Sequence, residues 1–400
     1  MRSIHKKLGP YIREISMRNG DLSVTTLLGV SISKKFIPSI ANTIGTNMAN
    51  YKIVRRNQFA YGPVTSRNGN KVSIALLGEE SCIVSTSYTV FEIIDDNAIL
   101  PEYLMMWFKR PEFDRYARFM SHGSVREMFG WGEMSDVKLP IPPIDEQREI
   151  VGEYRKIVGH MNLSAQLNQS LEEIAQAIYK HWFVEFQFPI SAEYATAIGR
   201  PELEGQPYKS SGGETVYDEM LDEEIPTGWR TKKLAKIADM RYGKMIDAQF
   251  ISEHGYPIYS GYGIRGYCQE YMYEEPQILV IARGVSGTGK VRMSPAKSHI
   301  TNLSIVLELS CDAMQKEYLF HHLKNRNLRA LDSGSAQSQI TIADLEPFPV
   351  LCPPSDLQVR FNDYSSVLRE SSLHGEAMQG LCRKLSKLLS SKMSRHKIAA

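Results

Sequence analysis

The chain has 400 residues, of which 42% are apolar, 10% aromatic and 23% charged, with a formal net charge of +2. That length carries two or three domains with real cores, and the ordinary composition excludes global disorder and a membrane class. There is no run of eighteen apolar residues, and the basic residues 1–7 lead into no apolar signal core, so a cytoplasmic location is expected. The five cysteines are scattered and form no Cys-x-x-Cys pair, so reduced thiols are expected, with neither a zinc site nor a disulfide framework.

Residues 1–143 read as an α/β globule. Segments 71–77, 82–84 and 89–94 are apolar, rich in β-branched residues and separated by Gly, Ser and Glu, which predicts strands. Pro101-Glu102-Tyr103-Leu104 then opens a helix, with proline at a favourable first-turn position. The stretch Leu139-Pro140-Ile141-Pro142-Pro143-Ile144-Asp145-Glu146-Gln147 ends the globule and starts a long helix, assigned to 144–186.

Residues 187–224 contain Gly205, Pro207, Ser210, Ser211, Gly212 and Gly213, and between 202 and 224 eight acids stand against Lys209 alone. The acids are Glu202, Glu204, Glu214, Asp218, Glu219, Asp222, Glu223 and Glu224. Such a segment is expected to be an acidic flexible linker. Ile225-Pro226-Thr227-Gly228-Trp229 opens a second globule, 225–353, with strand-like segments 277–281, 289–293 and 303–309 and a helix starting at Glu317-Tyr318-Leu319. Phe348-Pro349-Val350-Leu351-Cys352-Pro353-Pro354-Ser355-Asp356-Leu357-Gln358 then repeats the first boundary and opens a second long helix, 354–400. Glu-Tyr-Leu (102–104 and 317–319) and Gly-Ser (123–124 and 334–335) recur in the same order. The chain is therefore an internal repeat of two similar α/β domains.

The two helices are too long, and too polar on their far faces, for an ordinary core, which suits a two-stranded coiled coil. The apolar residues Val151, Tyr154, Val158, Leu171 and Ile178 keep three-four spacing, as do Phe361, Tyr364, Leu368, Leu381, Leu385 and Leu388. A shift of 210 superimposes Val151 on Phe361 and Ile178 on Leu388, whereas the boundaries align at 211. One residue is therefore expected to be missing near the start of the second helix. The alternative is two unrelated surface helices, which the coinciding registers disfavour.

No catalytic constellation emerges. Gly284-Val285-Ser286-Gly287-Thr288-Gly289-Lys290-Val291 imitates a phosphate-binding loop but has Val291 where a hydroxyl should meet magnesium, and it leads into a strand. It reads as a hairpin turn, like Arg67-Asn68-Gly69-Asn70-Lys71 in the first half. No Asn/Asp-Pro-Pro-aromatic motif of an amino-methyltransferase occurs. His321 and His322 are adjacent on a helix and point about 100° apart, a poor chelate, with one expected packed and one exposed.

The globules do offer the residue types that read DNA, cations for phosphates and guanine edges and amides or hydroxyls for other edges. In the first these are Lys34, Lys35, Arg55, Arg56, Asn57, Tyr61, Arg67, Asn68, Ser124 and Arg126. In the second they are Arg241, Tyr242, Lys244, Arg265, Arg283, Ser286, Thr288, Lys290, Ser335, Gln337 and Gln339. Each could equally be an ordinary solvated surface residue.

With these motifs assembled, the chain resembles the specificity subunits of type I restriction-modification enzymes. The duplicated Pro-Ile-Pro-Pro-Ile-Asp-Glu-Gln boundary at 140–147, its degenerate copy from 349, and the order globule, helix, globule, helix carry the likeness. The resemblance implies two target-recognition domains reading a divided double-stranded DNA sequence. They would be separated by two long helices packed as an antiparallel coiled coil with pseudo-two-fold symmetry. The helices would set the gap and dock two modification subunits that bind S-adenosylmethionine and methylate adenine at N6. Motor-nuclease subunits using ATP and magnesium would join where the enzyme also cuts DNA. No cofactor is implied in this chain. Competing readings are a self-contained methyltransferase or nuclease, and a coiled-coil scaffold for proteins.

Overall fold

The computed structural model describes residues 5–39, 45–66, 68–69, 71–122, 127–284, 287–311, 314–332 and 338–393. The chain divides into two compact units, residues 1–165 with 377–400, and residues 166–376.

The first unit is built from short strands: β1 (His5–Lys7), β2 (Ile12–Ile15), β3 (Leu28–Val30), β4 (Phe36–Pro38), β5 (Lys52–Val54), β6 (Phe59–Tyr61), β7 (Ile74–Leu76), β8 (Cys82–Val84) and β9 (Thr89–Ile93). Helices α1 (Pro101–Phe108), α2 (Pro111–Met120) and α3 (Trp131–Ser135) follow, then β10 (Lys138–Pro140) and α4 (Ile144–Phe183). β2, β9, β6 and β7 form an antiparallel four-stranded sheet in that order. Side chains alternate across it. Phe59, Tyr61, Ile74 and Phe91 join Tyr103, Leu104 and Phe108 of α1 in one core, while Ala60, Ala75 and Val90 pack with Val54, Cys82 and Val84 on the other face. Phe59 and Phe91 stack at 4.7 Å, and Phe108 meets both edge-on.

In the second unit α4 is followed by α5 (Ala192–Ala197), β11 (Thr215–Asp218), β12 (Glu223–Pro226), β13 (Arg230–Lys233), β14 (Ala238–Tyr242), β15 (Tyr256–Tyr259), β16 (Ile264–Cys268), β17 (Ile278–Ile281), β18 (Val291–Met293), β19 (His299–Ile300) and β20 (Ser304–Leu309). Then come α6 (Lys316–Lys324), α7 (Ile342–Leu345), β21 (Pro349–Cys352) and α8 (Ser355–Lys392). β14, β20, β17 and β18 repeat the first sheet strand for strand. The faces match too: Ile278, Val280, Val291, Ile305 and Leu307 look into the large core, and Leu279 and Val306 look the other way. The cover of that second face differs. The first sheet has β5 and β8 there; the second has Ile300 and Tyr259 from the β16-β15-β19 sheet.

The repeated motifs are fasteners. Tyr103 donates its hydroxyl to Pro140 O at 3.1 Å, and Tyr318 to Leu351 O at 2.8 Å. Glu102 pairs with Arg155 of α4, and Glu317 with Arg369 of α8. The buried amide of Gln147 accepts from Leu100 N at 2.9 Å and donates to Ala98 O and Pro142 O at 3.0 and 2.8 Å. Gln358 accepts from Gln315 N at 3.0 Å and donates to Pro353 O at 2.8 Å. A buried amide so satisfied specifies a single docking of helix on globule, because losing one partner leaves a desolvated polar group.

Within each unit the ends of the long helices meet in opposite senses. Ile150 and Val151 of α4 share the first core with Leu389 of α8 and with Met393 just beyond it. In the second unit Tyr179, Trp182 and Phe183 of α4 surround Phe361 of α8, at ring separations of 6.0, 6.3 and 5.3 Å. The covered positions step by three and four along both helices: 147, 150, 154, 157, 161, 164, 168, 171, 175, 178 and 182 in α4, and 358, 361, 365, 368, 372, 375, 379, 382, 386 and 389 in α8, with 393 continuing the series. The two series are offset by 211 throughout, as Gln147 and Gln358 are, so no residue is missing.

This corrects the expected seam. Val151, Tyr154, Val158, Leu171, Ile178, Phe361 and Leu368 are covered or half-covered, but Tyr364, Leu381, Leu385 and Leu388 are exposed. One residue of phase is 100° of rotation, enough to carry a side chain from seam to solvent. In α8 the seam is built largely from Ser365, Ser372, Gly375, Gln379, Cys382 and Ser386. Gly375 suits the close approach there: a Cβ would come 2.2 Å from Asn168 Oδ1, and that side chain would have to move.

The expected linker is also corrected. Residues 187–224 contain α5 and the β11–β12 hairpin, and Phe188, Ile190, Ala195 and Tyr208 are buried in the second core. Phe188 stacks between Tyr208 and Trp229 at 4.7 and 5.0 Å. A few aromatics anchor the segment, and the acids remain on its outside.

Candidate nucleic-acid interface

In the first globule Lys35, Arg55, Arg56 and Asn57 are exposed, the last three in the β5–β6 turn, where Asn57 adopts a left-handed φ of 66°. Lys35 lines a cleft of about 710 Å³ with Lys109 and Arg155, which the β5–β6 turn does not enter. Asn68 is half-buried and donates to Val64 O at 3.3 Å, closing its own turn. Two residues are removed from the interface. Lys34 is buried, its ammonium 2.7 Å from Asp114 Oδ1 and also bonded to Phe108 O, and burial lowers its pKa despite the Asp114 partner. Asp114 in turn accepts from Val72 N at 3.0 Å, so this pair ties the β3–β4 turn to the core. Tyr61 is fully buried between Phe91 and Phe129. Arg67, Ser124 and Arg126 lie outside the described residues.

In the second globule Tyr242, Lys244, Arg265, Arg283 and Lys290 are exposed and Gln339 is half-exposed. Arg241 sits 3.8 Å from Glu308 on the neighbouring strand, and Arg265 donates to Ser260 Oγ at 3.3 Å. Arg283 and Gln339 are brought together by a backbone bridge. Thr288 is corrected: it is buried, and its hydroxyl donates to Gly284 O at 2.8 Å. Ser286, Ser335 and Gln337 lie outside the described residues. The amides of Gly287, Thr288, Gly289 and Lys290 are all spent on carbonyls of the chain, so among the described residues this hairpin offers no amide cradle to a nucleotide.

Sequence reasoning named Lys290 but missed the cations Arg292, Lys324, Arg326 and Arg329 beside this hairpin. A groove of about 410 Å³ is lined by Lys290, Arg292, Lys324, Arg326 and Arg329, with no acid in its wall among the described residues. The alternation Lys290-Val291-Arg292, with Val291 buried, was the available signal, since period two puts both cations on one face.

His321 and His322 are both buried, against the expectation of one exposed. Tyr179 Oη lies 3.0 Å from His322 Nδ1, and His321 Nε2 lies 3.0 Å from Ser365 Oγ. Burial pushes His322 down to about 3 and also lowers His321, so both are neutral near pH 7. Ser365 Oγ donates to Glu317 at 3.1 Å, completing a polar knot with Arg369. These histidines hold helices in place. Among the described residues no group of three or more His, Cys, Asp or Glu side chains could hold a metal ion, and no helix is long and apolar enough to cross a membrane.

The long helices carry a second apolar stripe, turned outward. Tyr364, Val367, Met378, Leu381, Leu385 and Leu388 of α8 are exposed, as are Leu163, Leu167 and Ile174 of α4.

Residues 30–173 and 226–368 each match the model of the type I restriction modification DNA specificity domain. The chain belongs to that family. Each match runs from a globule into the long helix that follows it, so the family unit is a reader with its rod. The MjaIX specificity subunit of Methanocaldococcus jannaschii is 23% identical over 324 residues, 76% of this chain and 70% of that protein. The HindI specificity subunit of Haemophilus influenzae is 28% identical over 144 residues, 36% of this chain and 31% of that one. Among solved structures, the type I S subunit from M. genitalium superposes with a TM-score of 0.60 at 13% identity, covering 98% of this chain and 96% of that one. The likeness to the solved S subunit confirms the fold. As a type I specificity subunit the protein contributes DNA-sequence recognition to a larger complex and leaves catalysis to other subunits.

Proposed function

We propose that the two globules each read one half of a divided DNA target and deliver it to modification subunits that methylate adenine at N6. The observation that carries this reading is the duplication: one sheet order, one tyrosine latch, one glutamate–arginine pair and one buried glutamine, each used twice. Two equivalent readers on one chain suit a target with two parts.

Two modification subunits would dock on the outward apolar stripes of α4 and α8, which no packing inside either unit requires. S-adenosylmethionine would sit in those subunits, and ATP with magnesium in motor-nuclease subunits where restriction accompanies modification. At about 1.5 Å per residue, α4 is ~60 Å long, a length fit to hold half-sites a helical turn or more apart.

The test is domain exchange. Residues 1–143 are replaced by those of a relative, the chain is expressed with its partners, and methylated adenines are mapped across the genome. One half of the recognised sequence should change and the other stay. A change in both halves, or in neither, would refute independent reading by two globules.

A further inference from the structure

We propose that the groove between β18 and the turn after α6 is a binding track for the DNA phosphate backbone, with Lys290, Arg292 and Arg329 as its working cations. The inference rests on the DNA-reading function above and names which residues hold the backbone.

Three observations converge on it. The first is a comparison of the two sheets. In the strand registers Ala60 pairs with Ala75 in the first globule, and Leu279 with Arg292 at the matching place in the second. Ala75 lies sealed beneath the β5–β8 layer. Arg292 takes the same position under a different cover and opens into the groove. A guanidinium where the sister domain keeps a methyl group is not needed to make the sheet.

The second observation is charge. Lys324 is held by Glu172 and Arg326 by Glu223, at 2.7 Å in the latter pair. Lys290, Arg292 and Arg329 have no acidic partner among the described residues; Arg292 donates only to the neighbouring Val291 O at 3.1 Å. Three uncompensated cations share one acid-free wall, and mutual repulsion makes that arrangement costly until an anion arrives. Lys290, just ahead of β18, and Arg292 are two residues apart on extended backbone, about 6.7 Å.

The third observation is placement. Gly289, at φ 81°, lets the hairpin close directly onto the turn that follows α6: a Cβ there would come 2.6 Å from Arg329 N. That contact sets Lys290 and Arg292 beside Arg329 on a rigid base. Because the amides of Gly287, Thr288, Gly289 and Lys290 are already bonded within the chain, the site would act through side-chain charge. It therefore positions DNA without reading its sequence.

The experiment compares the full chain, purified with its modification partner, with a Lys290→Gln/Arg292→Gln/Arg329→Gln variant and an Arg292→Lys/Arg329→Lys variant. Affinity for target and for unrelated duplex is measured between 50 and 200 mM salt, and circular dichroism melting confirms folding of each chain. Each lost phosphate contact should reduce the log–log salt slope by about 0.9, so over this range the wild type should lose about 40-fold more affinity than the triple variant. The loss should be the same for both duplexes, and the lysine variant should keep the wild-type slope. A triple variant that is folded and keeps the wild-type slope overturns the track. So does a loss confined to the target duplex, which would make these residues base readers. Wild type that binds no duplex at any salt would instead sink the DNA-reading function itself.

Discussion

Leu388 and Leu389 are neighbours in sequence and opposites in environment, 61% and 6% exposed. Leu389 belongs to the first core, with Ile150, Val151 and Met393. Cutting it to alanine removes buried methyl groups and leaves a cavity, a loss of about 2–4 kcal/mol. For a unit of roughly 200 residues each kcal/mol moves the midpoint by about 2–4 °C, so Leu389→Ala should lower the melting of the first unit by about 5–15 °C. Leu388→Ala should stay within about 0.5 kcal/mol of wild type, since its side chain is already in water. It should, however, weaken assembly with the modification partner, because it thins the outward stripe. Differential scanning calorimetry of the full chain reads the first effect, with the two units fitted as separate transitions; size-exclusion co-elution reads the second. If Leu388→Ala melts as early as Leu389→Ala, the 211-residue correspondence of the seams is wrong, and the 210 register inferred from apolar spacing is right.

The paired glutamates should differ. Glu317→Gln strips a buried partner from Arg369 and should cost about 3–5 kcal/mol, whereas Glu102→Gln breaks an exposed pair worth at most about 1 kcal/mol; equal urea midpoints for the two variants would contradict the burial difference. His322 has a folded pKa of about 3, below its unfolded value near 6.5, so the unfolded chain takes up a proton that the native state refuses. The stability this contributes is complete above pH 6.5 and should be lost at about 1.4 kcal/mol per pH unit as pH falls towards 3. His322→Asn should flatten that slope in urea titrations from pH 6.5 to 4.5, and an unchanged slope would refute the assignment. Gly375→Ala should destabilise the second unit by about 1–3 kcal/mol, and adding Asn168→Ala should recover part of the loss. Simple additivity in that double-mutant cycle would show that the two residues do not touch.

The features legible in the sequence were those set by local chemistry. Cys82–Val84 is a strand as read, Pro101 opens α1, and the prolines at 140–143 and 349–354 separate sheet from rod. The repeat was legible because it recurs in order. The seam was not, since Ser365, Ser372, Gly375 and Ser386 let the helices approach without an apolar signature, while the leucines that do carry one face outward. The acidic segment misled for a related reason: three rings, Phe188, Tyr208 and Trp229, supply its packing and are lost in an average over its composition. Among the candidate DNA contacts, Lys34, Tyr61 and Thr288 have the right chemistry in the wrong place, and burial decides that after folding. Arg292 and Arg329 were passed over because their value comes from a turn and a strand far apart in the chain.

The twin glutamines have a consequence for inheritance. Gln147 and Gln358 are the same bolt on two rods, and the backbone groups at Ala98, Leu100 and Gln315 are the matching sockets on two globules. A crossover between the two boundary segments, or with the gene of a relative that keeps them, would seat a foreign reader on a native rod wherever that reader keeps the sockets for the glutamine. New recognition sequences could thus arise by shuffling whole modules, and the lineage need not retrain its readers base by base.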